Sequence, residues 1–240
     1  MSQVRVAAVG DVHFGLDSAG RLRPHLKALA EQADVLLLAG DLTKCGHPDE
    51  ARVLAAELDP LPVPTVAVLG NHDYHADEEA AVAKLVEEVG VRVLEGDATV
   101  IDVGGCRLGV AGVKGFGGGF PGAAGSDFGE PEMKAFMAHS RVVAGRLEEA
   151  LAELEGQADL RIALMHYSPI ESTLSGERLG IYPFLGSYFL AEAVDRAGAD
   201  LVIHGHAHSG NEKGVTPGGV PVRNVALPVI KHAYNVYELG

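Results

Sequence analysis

Short apolar runs of strand length alternate with amphipathic stretches along the first half of the chain. Such alternation is typical of βα units, in which each strand is followed by a helix that packs on the sheet. Residues 34–39 are almost wholly apolar, as expected for a strand that is buried on both faces. The pattern predicts strands at 4–10, 34–39 and 65–69, and helices at 21–32, 48–58 and 77–89.

Three further strand-like runs, at 91–94, 99–103 and 107–113, lie close together without a helix-length segment between them. Strands joined by such short connections pair antiparallel, so we expect these three to be antiparallel neighbours. The strand directions are then mixed, and the fold class is α/β.

The second half predicts a long helix at 131–155, a helix at 186–197, and strands at 160–166, 200–204, 222–226 and 233–238. The glycine-rich segment 114–129 carries three phenylalanines and predicts a long surface loop. It would be either the wall or lid of a site or a mobile insertion. Neither a repeat nor a linker marks a second domain, so we expect one domain over residues 1–240.

The charge balance narrows the classes of partner. The 240 residues include 19 basic and 33 acidic ones, which gives a formal net charge of −14. Such a chain repels polyphosphate backbones and anionic membranes unless positive charge is concentrated at one place. We therefore expect no extended nucleic acid and no membrane among its partners.

The compartment is suggested by the two cysteines, Cys45 and Cys106, which are too few for a disulfide framework. The N-terminal apolar run has the length of a strand and leads into an acidic residue, unlike a secretory signal. No segment approaches the roughly 20 apolar residues of a spanning helix. These features predict a cytoplasmic protein and do not indicate an oligomeric state.

Groups that can bind metals follow the predicted strands at their carboxyl ends, where ligands bind in an open α/β sheet. They are Asp11, His13, Asp41, Asn71, His166, His206 and His208. If the chain stays extended, the first two side chains point to the same side, as do the last two. Each group alone has a simpler explanation, such as a surface pair, a helix cap or a core histidine. The ordered set predicts one metal-binding crevice.

The motifs occur in the order Asp-x-His, Gly-Asp, Gly-Asn-His-Asp, His and Gly-His-x-His, from Asp11 to His208. This order resembles the calcineurin-like metallophosphoesterase superfamily. The resemblance implies two mixed β-sheets packed as a sandwich, flanked by helices on both outer faces. It also implies two metal sites: Asp11, His13 and His208 in one, Asn71, His166 and His206 in the other, and Asp41 as the bridge.

The donor types indicate which metals to expect. Imidazole nitrogens mixed with carboxylate and amide oxygens suit Mn, Fe, Zn or Co better than Mg or Ca, and we favour Mn or Fe. Two divalent metal ions, two carboxylates and a bridging hydroxide leave a surplus of about one positive charge. The neutral Asn71 preserves this surplus, which attracts an anionic phosphate.

His72 and Asp73 are the predicted catalytic residues. The resemblance implies that the His72 ring faces the substrate rather than a metal. There a protonated imidazole stabilises the transition state or protonates the leaving oxygen. Asp73 is expected to orient and charge that ring.

The predicted activity is hydrolysis of a phosphoester by a hydroxide that bridges two metals and attacks in line with the leaving oxygen. Residues 40–46 lack the arginine that follows the Gly-Asp motif in protein phosphatases of the superfamily. The acidic charge also argues against the DNA nucleases of the superfamily, so the resemblance favours a small-molecule phosphodiester as the substrate. The alternatives are a phosphomonoesterase of the same fold and an inactive binding scaffold. The scaffold is disfavoured because every ligand position and His72 are present.

Overall fold

The computed structural model describes residues 3–240 and contains two large β-sheets. The first sheet consists of β1 (Val4–Val9), β2 (Val35–Ala39), β3 (Thr65–Val68), β4 (Val91–Val93) and β13 (Asn235–Leu239). The order across it is β13-β1-β2-β3-β4. β1 to β4 run parallel, and β13 is antiparallel to β1, so the sheet is mixed.

The second sheet is also mixed. It consists of β5 (Asp97–Val103), β6 (Cys106–Val113), β9 (Leu160–Met165), β10 (Leu201–His204), β11 (Lys213–Val215) and β12 (Pro221–Asn224). Its order is β11-β12-β10-β9-β6-β5, with antiparallel pairs at both edges and parallel pairs between them. A small hairpin is formed by β7 (Gly119–Phe120) and β8 (Ala123–Ala124).

α-Helices connect and flank the strands of the two sheets. They are α1 (Arg23–Leu26), α2 (Leu29–Gln32), α3 (Pro48–Leu58), α4 (Glu79–Glu87), α5 (Pro131–Glu153), α6 (Tyr182–Leu185), α7 (Tyr188–Ala197) and α8 (Leu227–Ile230). Short 3₁₀ helices lie at His72–Tyr74, Glu171–Leu174 and Leu179–Ile181. α3 and α4 pack with the first sheet, and α5 and α7 pack with the second. The predicted fold class, a helix-flanked sandwich of two mixed sheets, is confirmed.

The core shows why β9 lies at the centre of the second sheet. Ile162 and Leu164 join the apolar cluster between the sheets, whereas Ala163 and Met165 join the cluster beneath α5 and α7. This alternation follows from the period of two along a strand. Full burial of such a leucine stabilises the fold by about 1.5–3 kcal/mol relative to its exposure. Packing on both faces therefore fixes the position of β9, and with it the position of His166, which directly follows the strand.

The prediction that residues 91–94 pair antiparallel with the two following strands is wrong. β4 pairs parallel with β3 in the first sheet, because α4 supplies the crossover that a parallel connection requires. Only β5 and β6 form the expected antiparallel pair. The chain thus changes sheet between β4 and β5.

Two other expectations also differ from the structure. The single helix expected at 21–32 is two four-residue helices, because Ala28 leaves helical geometry with a ψ of 2°. The surface loop expected at 114–129 is wrong for residues 115–120, which are mostly buried. There the backbone N–H groups of Gly118 and Gly119 donate to the carbonyls of Pro183 and Gly186, which satisfies these polar groups inside the protein.

None of the helices in residues 3–240 combines the length and the apolar character that crossing a bilayer requires.

Candidate metal centre

The predicted ligands from both sheets meet at one edge of the sandwich. Asp11, Asp41 and Asn71 follow strands of the first sheet, and His166 and His206 follow neighbouring strands of the second. Their donor atoms form two clusters whose members lie within 4.8 Å of one another. The clusters are Asp11, His13, Asp41 and His208, and Asp41, His166 and His206. Asp41 belongs to both.

In the second cluster, the side chains of Asn71 and Asp41 converge on Nε2 of His166. The carbonyl of Ala39 lies 2.9 Å from Nδ1 of His166 and can only accept, so Nδ1 carries the proton. Nε2 lies 2.9 Å from Oδ1 of Asn71 and 3.3 Å from Oδ1 of Asp41. In the neutral ring Nε2 is an acceptor, and a cation among these three acceptors would stabilise them. This arrangement fits a metal ion.

His206 is the third member of this cluster. Its ring lies 4.7 Å from that of His166. Its Nε2 donates to the carbonyl of Phe184 at 3.2 Å, which leaves Nδ1 as the nitrogen with a free lone pair. Burial lowers the pKa of His206 to about 3, so the ring is neutral and able to bind a metal at ordinary pH.

The first cluster is organised around Asp11. Nε2 of His208 lies 2.8 Å from Oδ1 of Asp11, and the backbone N–H of His206 donates to Oδ2 at 2.9 Å. Nε2 of His13 lies 3.6 Å from Oδ2 of Asp41, the carboxylate that belongs to both clusters. Imidazole nitrogens and carboxylate oxygens at these separations could hold a second ion.

The electrostatics of the first cluster follow from its burial and its pairing. Burial alone would raise the pKa of Asp11, but the hydrogen bond with His208 and the nearby imidazoles lower it overall. The same hydrogen bond raises the pKa of His208, whereas burial lowers the pKa of His13. The carboxylate of Asp11 is therefore ionised and available as an anionic ligand.

The expectation that the ligand pairs lie on extended chain is wrong. Asp11, His13, Asp41 and His206 have φ values of 56°, 42°, 48° and 69°, in the left-handed region. Such a conformation costs a non-glycine residue about 1–3 kcal/mol and persists where the surrounding structure imposes it. The side chains converge through tight turns after each strand, not through strand alternation.

Two glycines allow a close approach at the site, Gly70 between two turns of the first sheet and Gly205 between the two sheets. A Cβ added at Gly70 would collide with the backbone N and Oδ1 of Asp41. A Cβ added at Gly205 would collide with Oδ2 of Asp11. These collisions explain why glycine precedes Asn71 and His206 in their motifs.

The structure places Asp73 away from the His72 ring that it was expected to orient. Oδ1 of Asp73 accepts from the backbone N–H and the hydroxyl of Thr43 at 2.7 and 2.6 Å, and Oδ2 accepts from the backbone N–H of Gly70 at 2.8 Å. Burial raises the pKa of Asp73, and these hydrogen bonds oppose the rise. Asp73 ties the turn after β2 to the turn after β3.

The His72 ring is oriented by a backbone group instead. The carbonyl of Lys44 accepts from Nδ1 at 2.8 Å, and Nε2 lies 3.9 Å from Oδ2 of Asp41. The ring is partly exposed and meets that of His13 edge-on, with the centroids 4.5 Å apart. His72 therefore stands at the rim of the clusters with Nε2 towards them.

Several groups that shape the site were not predicted from the sequence. The carbonyls of Ala39, Lys44 and Phe184 orient three imidazole rings, and a backbone carbonyl has no signature in a sequence. Tyr167 packs its ring 4.4 Å from that of His206. Its position directly after the motif residue His166 was the one available signal.

Comparisons with known proteins identify a family that this chain resembles. A family model described as calcineurin-like phosphoesterase matches residues 4–210. A probable cyclic nucleotide phosphodiesterase from Rhodococcus erythropolis is 31% identical over 80 residues. That alignment covers 30% of this chain and only 27% of the relative.

Solved structures share the fold. Phosphopantetheinyl hydrolase from Mycobacterium tuberculosis superposes with a TM-score of 0.67 at 17% identity, covering 94% of this chain and 90% of that one. Protein TT1561 from Thermus thermophilus superposes with a TM-score of 0.62 at 22% identity, covering 100% of this chain and 99% of that one. At these identities the similarity establishes the fold alone.

Proposed function

Because the chain belongs to the calcineurin-like phosphoesterase family, we propose that it is a metal-dependent hydrolase that cleaves a phosphodiester in a small molecule. The observation that carries this proposal is the position of Asp41, which stands in both clusters of potential ligands. A carboxylate with two oxygens in two adjacent clusters is suited to bridge a pair of ions.

The seven predicted ligands would hold that pair. Asp11, His13 and His208 would hold one ion, Asn71, His166 and His206 would hold the other, and Asp41 would bridge them. When bound, such a pair activates water and polarises the phosphoryl oxygens for in-line displacement. The mixed nitrogen and oxygen donors favour Mn or Fe.

His72 supplies a proton donor at the rim. Because its Nδ1 donates to the carbonyl of Lys44, the protonated ring has only its Nε2–H free to donate to the leaving oxygen. Asp73 acts as a positioning residue, because it ties together the turns that carry Asp41 and Asn71. The backbone N–H of His72 also donates to Oδ1 of Asp41 at 2.8 Å, which fixes that carboxylate.

Three further points support a diester of small size. The relative from Rhodococcus erythropolis is named a probable cyclic nucleotide phosphodiesterase. The surplus of about one positive charge in a loaded site matches a singly charged diester. Phe184, whose carbonyl contacts His206, is 61% exposed and offers an apolar surface for the rest of the substrate.

The domain organisation and the compartment are proposed from two separate observations. Because the ligands come from both sheets, we propose that the chain functions as one domain. The domain prediction also includes residues 1 and 2, which lie outside the described residues. Cys45 and Cys106 are both free thiols, which supports a reducing, cytoplasmic location.

A paired assay tests the proposal. The protein is loaded separately with Mn, Fe, Zn and Co and incubated with bis(p-nitrophenyl) phosphate and with p-nitrophenyl phosphate. We expect metal-dependent cleavage with the diester preferred. Preference for the monoester would replace the diester proposal with a phosphomonoesterase. If the protein binds two metal ions and cleaves neither ester, the proposal that it is an enzyme is refuted.

A further inference from the structure

A single lysine stands beside the metal centre. Lys114 directly follows β6, and its carbonyl accepts hydrogen bonds from the backbone N–H groups of His166 at 3.0 Å and Tyr167 at 3.1 Å. Its main chain is therefore fixed to the segment that carries a predicted ligand. The side chain is half-buried.

Three aromatic rings surround the ammonium group. Nζ lies 4.6 Å from the ring centroid of Tyr74, 5.4 Å from that of Phe116 and 5.6 Å from that of Tyr167. We call these three residues the aromatic cage. Aromatic faces attract a cation and hold it without neutralising its charge. The cage thus fixes a positive charge at a defined point.

The cage adjoins the metal centre through Tyr167. The ring of Tyr167 lies 4.4 Å from that of His206 and 5.6 Å from that of His166. Asp41 is also near enough to Lys114 to act on its pKa, which burial lowers and which Glu95, Asp41 and Glu79 partly restore. Tyr167 therefore lies beside both the ammonium and the predicted metal ligands.

A purely structural role for the ammonium is poorly supported. Glu95 is the nearest candidate partner, yet it accepts a hydrogen bond from the backbone N–H of Lys114, at 3.2 Å, rather than from Nζ. Within residues 3–240, no carboxylate oxygen lies within 4.0 Å of Nζ, and Nζ donates no hydrogen bond. The ammonium is thus held by aromatic faces and not by a carboxylate, so its hydrogen-bond donors stay available to an anionic ligand.

We propose that Lys114 determines substrate specificity by binding a second anionic group of the substrate, separate from the phosphate that is cleaved. This inference rests on the proposed function. A singly charged diester already matches the surplus charge of the loaded metal centre, so the ammonium remains for another phosphate or carboxylate. The substrate class is therefore a phosphodiester that carries one further negative group.

The test compares two nucleotides that differ by one phosphate. AMP and adenosine 3′,5′-bisphosphate are used as inhibitors of bis(p-nitrophenyl) phosphate hydrolysis by the Mn-loaded protein. Lys114→Met is expected to raise the inhibition constant of the bisphosphate roughly tenfold, equivalent to about 1.4 kcal/mol. The inhibition constant of AMP should stay within about twofold of wild type. Lys114→Arg keeps the charge and should retain bisphosphate inhibition.

Lys84→Met is the matched control, because it removes the same charge from the exposed surface of α4. If Lys84→Met raises the inhibition constant of the bisphosphate as much as Lys114→Met does, the effect is one of net charge and the proposal is refuted. Equal shifts for both nucleotides, or no shift for either, would overturn the proposal. Lys114→Gln serves the same purpose if the methionine variant does not fold.

Failure of the proposed function gives a different result from failure of this inference. If the wild type cleaves no ester with any metal, the proposed function fails. Calorimetric titration of the Mn-loaded protein with each nucleotide then tests Lys114 by itself. Loss of the bisphosphate preference in Lys114→Met would support the inference, and an unchanged preference would refute it.

Discussion

Nε2 of His166 lies 2.9 Å from Oδ1 of Asn71, although 95 residues separate them in the chain. His166 follows β9 of the second sheet, and Asn71 lies after β3 of the first. This contact therefore joins the parts of the site that the two sheets contribute. Asn71 is also neutral, which matters for the charge of the site.

Asn71→Asp should therefore separate metal binding from phosphate binding. The added carboxylate keeps an oxygen ligand but cancels the surplus positive charge. Bound metal should remain at two ions per chain, and the inhibition constant of inorganic phosphate should rise at least about tenfold. Metal analysis and inhibition kinetics measure both quantities. An unchanged inhibition constant would mean that the charge count is not what attracts phosphate.

Gly70→Ala should disrupt the site through sterics alone, because the new Cβ meets the backbone and carboxylate of Asp41. Overpacking of this kind costs about 1–3 kcal/mol of the free energy of unfolding, and displacement of a ligand should lower turnover by about 100-fold or more. Gly145→Ala is the control, because Gly145 lies within α5 and a Cβ added there would meet no atom within 4 Å. It should stabilise the protein by roughly 0.5–1 kcal/mol. Wild-type activity in Gly70→Ala would contradict the close approach.

His72→Ala should lower turnover by about 10²–10⁴-fold while the metal content stays near that of wild type. The reason is that Nε2 of His72 stands at the rim, 3.9 Å from Asp41. His75→Ala removes an exposed histidine three residues away and should have little effect. If metal is lost together with turnover in His72→Ala, His72 is a ligand rather than a proton donor.

The ion pair between Arg107 and Asp159 should make the stability of the fold depend on pH. It joins β6 to the residue before β9. Hydrogen bonds from Arg107, at 2.7 Å from its side chain and 2.9 Å from its backbone, lower the pKa of Asp159 from 3.8 to about 2. A carboxyl with a lowered pKa stabilises the fold above its unfolded pKa, and this contribution is lost as the pH falls from 3.8 to about 2. Asp159→Asn should therefore lower the Tm at pH 6, with a smaller difference at pH 3. A difference that does not narrow would refute this linkage.

The sequence predicted the elements better than their pairing. The helix at Pro48–Leu58 agrees with the prediction because its periodicity is local. The partner of β4 is set instead by long-range packing, which spacing along the chain does not reveal.

In the site, too, local features were predictable from the sequence and long-range contacts were not. The predicted ligands and their order could be read from the motifs, and the structure places these side chains close together. The left-handed turns at Asp11 and His13 were not visible, because non-glycine residues adopt that conformation only under tertiary constraint. The contacts of Asp73 were also missed, because its partner Thr43 lies 30 residues away.

The central claim is that two ions share Asp41, and anomalous scattering from crystals of the Mn-loaded protein tests it most directly. We expect two peaks about 3.5–4 Å apart. One should lie among Asp11, His13 and His208, the other among Asn71, His166 and His206, and Asp41 should contact both. A single peak, or two peaks that Asp41 does not join, would contradict the account.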